Sequence, residues 1–162
     1  MGKYLVFLFF FLFSFDSINS SISPFFKTFH LQIVNRLEFH KKLKIQCESD
    51  SFQSYRLPTT YINIGESYQL KFIILPNVMY RCSLWQGPNY KHNVYFKAFI
   101  PSQSFIDDTC NGMNPNVCMW IAKERGVYVR HDKFLREYFR YGWDTPTEQR
   151  EIAPVSALTS ES

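Results

Sequence analysis

Apolar and polar residues alternate in short segments all along this chain, and this pattern limits its possible folds more than any other feature. In Leu43–Cys47, Leu43, Ile45 and Cys47 share one parity, and Lys44 and Gln46 take the other. A strand sends successive side chains to opposite faces, so this alternation marks a half-buried strand. Leu31, Ile33 and Leu37 behave similarly against Gln32 and Arg36. Tyr61–Ile64 is a short candidate closed by Gly65. Tyr68, Leu70, Phe72 and Ile74 alternate until Pro76-Asn77 breaks the run. Tyr80, Cys82 and Leu84, a Gly87-Pro88-Asn89 turn, and Val94, Phe96, Ala98 and Ile100 read as a hairpin. Val117–Ala122 and Val127–Arg130 flank Lys123-Glu124-Arg125-Gly126 as a second hairpin. Eight strand candidates separated by turn signals predict an all-β sandwich or barrel. Near the end, Asp132 as a cap with Phe134, Leu135, Tyr138 and Phe139 fits a helix about as well as a loop followed by a strand.

The 162 residues suit one domain. Hydrophobic residues at 46% exclude a disordered chain. The net charge of +4 is scattered, which argues against a nucleic-acid partner. Residues 1–20 have the layout of a signal peptide: Lys3, an almost purely apolar run from Tyr4 to Phe15, then small residues. A membrane span needs about 20 apolar residues, and this run is shorter. Cleavage is expected after Ser20, with Ser23 as the alternative, giving a secreted, extracellular chain without stable membrane insertion. The domain then covers 21–144, and the polar, Pro-punctuated stretch 145–162 forms a flexible tail. Asn19-Ser20-Ser21 is the only glycosylation sequon, and cleavage after Ser20 would discard its Asn.

Cys47, Cys82, Cys110 and Cys118 all lie beyond the leader. An even count in a small exported domain reads as two disulfides. No Cys-x-x-Cys pair or nearby His points to a metal. Four cysteines allow three pairings and the sequence does not choose among them. The favoured one is Cys47–Cys118 with Cys82–Cys110, each closing a loop for roughly 3–4.5 kcal/mol.

No residue set combines a nucleophile with an oriented base. His30, His40, His92 and His131 form no metal pattern, and His40-Lys41-Lys42 reads as a solvated connection. Asp107-Asp108 lacks the surroundings of a calcium loop. Trp85, Trp120 and Trp143 offer flat faces for sugar stacking, but core packing is the commoner fate of such rings. The chain is therefore expected to have no enzymatic activity, cofactor or metal. Its candidate recognition loops are Gln86–His92, through Gln86, Asn89, Lys91 and His92, and Ser102–Asn116, through Asp107, Asp108, Asn111 and Asn114.

From His30 to Trp143 the order of features resembles the plant self-incompatibility protein homologues. The resemblance rests on His30–Asn35, on Ile45-Gln46-Cys47-Glu48-Ser49, on Gly65–Phe72 and on Tyr80-Arg81-Cys82-Ser83-Leu84-Trp85. Its most specific part is Cys110, then Cys118-Met119-Trp120, then Gly126-Val127-Tyr128. Ser51-Phe52-Gln53 and Val78-Met79-Tyr80 depart from the family pattern. The resemblance implies a two-sheet antiparallel β-sandwich, export and no catalysis. It also implies a ligand, expected to be monomeric, that a cell-surface protein receptor recognises; in the best-known relatives such recognition rejects self pollen. The alternative is a secreted carbohydrate-binding cell-wall protein using exposed aromatics.

Overall fold

The computed structural model describes residues 23–51, 54–110, 112–131 and 136–144. The leader, the cleavage site after Ser20, the sequon, the tail, Asn111 and the Asp132, Phe134 and Leu135 portion of the candidate helix lie outside the described residues.

Alternation became strand wherever it was clean. β1 (Thr28–Asn35) and β2 (Leu43–Asp50) bury every second side chain. They are followed by β3 (Tyr55–Arg56), β4 (Thr60–Ile62), β5 (Ser67–Ile73), β6 (Met79–Gln86) and β7 (Asn93–Phe99). A short helix, α1 (Gln103–Asp108), precedes β8 (Val117–Lys123), β9 (Gly126–His131) and β10 (Arg136–Tyr141). The first sheet runs β10-β9-β8-β1-β5; the second runs β3-β2-β6-β7, with β4 also paired to β2. Phe29, Leu31, Ile33 and Trp120 of the first sheet share one buried cluster with Ile45, Leu84, Val94 and Phe96 of the second. The Trp120 indole N–H donates to the Ala98 carbonyl at 3.0 Å, and its ring meets Phe96 at 4.8 Å, joining the sheets.

Several expectations need correction. Among the described residues there are ten strands, not eight: β3 and β10 are added. Two residues cannot show a period, and β10 places Tyr138 and Phe139 on opposite faces, with a register shift between Phe139 and Tyr141. Tyr138 and Phe139 are therefore strand residues and not helical ones. Pairing is not antiparallel throughout, because β1 and β8 run parallel. Ser102–Asn116 is not a plain loop. Ser102 Oγ accepts the Phe105 N–H at 3.2 Å, as a helix N-cap does, and Ile106 anchors α1 in the core.

The disulfides are Cys47–Cys82 and Cys110–Cys118, not the favoured pairing. Cys47 and Cys82 are direct register partners on β2 and β6 with Cα atoms 4.0 Å apart, so their side chains leave one face together. Cys118 belongs to the other sheet, where the chain leaving α1 brings Cys110 to a Cα distance of 4.4 Å.

Candidate functional site

Strand register sorts the connections between two ends of the molecule. Asn35 pairs with Ala122, Val34 with Ser67, Leu43 with both Gln86 and Ile62, and Val127 with Tyr141. One end therefore gathers the β1–β2 loop (36–42), the β4–β5 turn (63–66), the β6–β7 loop (87–92), the β8–β9 turn (124–125) and residues 142–144. The β7–β8 connection carrying α1 leaves and re-enters the sheets at the opposite end. The two sequence-derived recognition loops are thus not one surface.

Asn35 organises the first end. It continues the inward parity of Leu31 and Ile33, and its side chain is fully buried. Its amide donates to the carbonyls of Lys41 at 3.0 Å and Ile62 at 3.1 Å, while Oδ1 accepts the Leu37 N–H at 3.0 Å. Leu37 is buried beside it. Between these anchors the loop turns through two left-handed residues, Phe39 (φ 54°) and His40 (φ 56°). Side chains at such angles cost about 1–2 kcal/mol each, so the surrounding contacts must hold the loop in place. The result is a Phe39 ring that is 80% exposed on a fixed backbone, with the Lys41 ammonium 5.9 Å from its centroid.

Ion pairs tie the neighbouring connections to this loop. Lys41 reaches Glu124 at 2.6 Å, and the Glu38 N–H donates to the same carboxylate at 2.9 Å. Burial alone would raise the Glu124 carboxyl, but the Lys41 bond, the Glu38 N–H and the Lys41 charge hold it below the usual carboxylate range. Arg36 contacts Glu137 at 2.6 Å, and Lys123 bonds the other oxygen. Burial likewise raises Glu137, and the Lys123 bond with the charges of Lys123, Arg36 and Arg130 outweighs it, so this carboxyl also sits low.

The sequence-derived residues are scattered. Gln86 is not a loop residue: it ends β6 and is buried, so its side chain offers a partner little. Asn89, Lys91 and His92 are exposed in the β6–β7 loop. His92 Nδ1 lies 2.5 Å from Asp144 Oδ2, and the Asn93 N–H donates to Asp144 Oδ1 at 2.9 Å. Those two bonds, His92 first, hold the Asp144 carboxyl low. Asp107, Asp108 and Asn114 are exposed at the opposite end, where Asp107 accepts Gln103 Nε2 at 2.8 and 2.9 Å. Of the three tryptophans, Trp120 is core, Trp143 is half-buried with its N–H on the Lys123 carbonyl at 2.9 Å, and Trp85 points out of the second sheet. Asn35 and Phe39 were missed. A polar residue on the buried parity of β1 was the available signal for the first, and a lone Phe among charged loop residues for the second.

The family model of plant self-incompatibility protein S1 matches residues 30–143. The chain belongs to that family. S-protein homolog 9 of Arabidopsis thaliana is 30% identical over 93 residues, 56% of this chain and 62% of the relative. S-protein homolog 31 of the same plant is 29% identical over 109 residues, 66% of this chain and 74% of the relative. S-protein homolog 26 is 35% identical over 69 residues, but the match spans only 28% of that protein. A solved structure is similar with a TM-score of 0.50 and 18% identity, covering 72% of this chain and 95% of the other. It is described as a member of the self-incompatibility protein homologues, "a widespread family of small, highly stable, secreted proteins from plants". At that identity the likeness speaks for the fold, two sheets stapled by disulfides, and shows nothing of a role.

Proposed function

We propose that this protein is an exported, non-enzymatic ligand on a β-sandwich scaffold, freed of residues 1–20 and recognised as a monomer by a protein receptor at a cell surface. The observation that carries this reading is the Phe39 loop. A large aromatic ring held in water by a buried Asn and a strained backbone contributes nothing to the core. It has the form of a binding anchor, since binding energy concentrates in a few rigid aromatic and basic residues. Asn89, Lys91 and His92 lie at the same end and supply a polar rim. The exposed Lys91 favours encounter with an acidic partner surface. Family membership supports the ligand role.

The test compares the two ends. Phe39→Ala and Lys91→Ala should leave the circular dichroism spectrum unchanged and weaken saturable binding to cells displaying the receptor, Phe39→Ala by at least tenfold. Asp107→Lys with Asp108→Lys should fold normally and leave affinity within threefold. Phe96→Ala, a cavity in the shared core, should reduce binding only as the folded fraction falls. If the Asp pair abolishes binding while Phe39→Ala does not, recognition belongs to the α1 connection instead.

A further inference from the structure

The outward face of the second sheet carries a row of rings that the core does not use, ending at Tyr90 in the β6–β7 loop. Register places Tyr61, Lys44, Trp85 and Asn93 directly opposite one another across β4, β2, β6 and β7. Tyr90 extends the row, edge-on to Tyr61 at 5.7 Å. Tyr95 lies one step further along β7, opposite Ser83, which in turn faces Gln46. Tyr61 and Tyr95 are 54% and 40% exposed, high for rings with neighbours on either side. The Lys44 ammonium sits 4.5 Å from the Trp85 centroid, and among the described residues it pairs with no carboxylate. The same face holds four cations, Lys44, Arg56, Arg81 and Lys97, against two carboxylates, Glu48 and Asp50, a surplus of two positive charges.

We propose that this face binds a linear acidic oligosaccharide of the uronate type. Flat rings stack on the C–H faces of pyranoses, and the side chains of Gln46, Ser83 and Asn93 can bond their hydroxyls. Lys44, whose ammonium covers one face of Trp85, supplies the cation for the carboxylate of a sugar seated beside that ring. Strands β4 to β7 span roughly 15 Å at the usual strand spacing, long enough for several sugar rings. An acidic peptide fits less well. The row runs across the strands at the loop end of the sheet, so a chain lying along it is perpendicular to the strands and cannot add to the sheet as a backbone-paired strand, and polar groups separate the rings where a peptide would need apolar pockets.

The experiment titrates the oxidised protein with oligogalacturonate, a neutral galactose oligomer of similar length and poly-glutamate, following tryptophan emission and calorimetric heat. Oligogalacturonate should bind saturably, shift the emission and weaken with salt. Trp85→Ala and the exposed Tyr61→Ala should each lower affinity at least tenfold, Trp85→Ala abolishing the emission shift. Lys44→Gln should remove the preference for the acidic over the neutral sugar. Phe26→Ala, at the opposite end, serves as a control and should change nothing. No binding, binding indifferent to Tyr61→Ala and Trp85→Ala, or equal binding of poly-glutamate would overturn the proposal. Phe39→Ala should leave oligosaccharide binding intact, so failure of the receptor reading and failure of this one give different results.

Discussion

Removing the Asn35 side chain tests whether the exposed Phe39 loop is held from beneath. Asn35→Ala leaves the Leu37 N–H without an acceptor and the Lys41 and Ile62 carbonyls without a donor. Three hydrogen bonds at about 1 kcal/mol net each predict a loss near 3 kcal/mol, and more if water cannot reach the stranded groups. Asn35→Asp is sharper because it nearly preserves shape. Its oxygen can still accept from Leu37, but the second oxygen faces two carbonyls and suits them only when protonated. Burial and those carbonyls raise the folded-state pKa of the new carboxyl above the unfolded value of about 3.9. The folded state then binds the proton more tightly, so stability is retained below about pH 4 and falls as pH rises through the raised folded pKa. Urea denaturation of wild type and both variants at pH 3.5 and 7 measures this. Asn35→Ala should cost about 3 kcal/mol at pH 7, and Asn35→Asp should lose more relative to wild type at pH 7 than at pH 3.5. Amide exchange at Phe39 and His40 should quicken in both. A cost for Asn35→Ala under about 0.5 kcal/mol, or an Asn35→Asp penalty that ignores pH, would refute the anchoring argument.

The depressed carboxyls Glu124 and Glu137 stabilise the fold above their unfolded pKa of about 4.3, and that contribution disappears as pH falls through their lower folded values. Glu137→Gln should therefore flatten the acid limb of a stability–pH curve while leaving Arg36 and Lys123 less well ordered, as denaturation from pH 2 to 7 will show. The two bridges should differ in worth: sequence separations of 35 and 8 predict about 4 and about 2.5 kcal/mol in the loop-entropy model. Replacing Cys47 and Cys82 together by Ser should thus lower the urea midpoint more than replacing Cys110 and Cys118 together, and alkylation of the native protein should find no free thiol.

Strands were legible where one face is buried and the other wet, because burial then writes a period of two into the residue types. Leu43–Cys47 and Val94–Ile100 are such cases. β10 was not, since it is an edge strand with aromatic residues on both faces, and its bulge resets the parity before Tyr141 enters the core. α1 was hidden by its length, as six residues give less than two turns of pattern. Partner choice was beyond local reading altogether. The parallel β1–β8 pair and the facing positions of Cys47 and Cys82 depend on residues far apart in the chain, and chain order alone made the wider cysteine pairing look as good. For the same reason the sequence could not tell that the two candidate loops, around Gln86 and around Asp107, lie at opposite ends in space.

The loop end and the aromatic row are mechanically joined at one point, where the β1–β2 and β6–β7 loops meet. The Gly87 N–H donates to the Lys42 carbonyl at 2.8 Å, and a Cβ on Gly87 would stand 3.0 Å from that oxygen and 3.6 Å from the Tyr90 ring. Only a residue without a side chain lets the two backbones close to this distance without displacing one of them. Lys42 follows directly on the Asn35-anchored turn, and Tyr90 touches Tyr61 at the start of the row. The position of Phe39 and that of the outermost ring are therefore set by one backbone contact, although their side chains face different partners. A ligand that stacks on Tyr90 and Tyr61 presses on the loop whose other side is fixed by Asn35. Because that loop is already held from beneath, binding at the row has little conformational freedom left to remove from it, and the two surfaces are expected to act nearly independently.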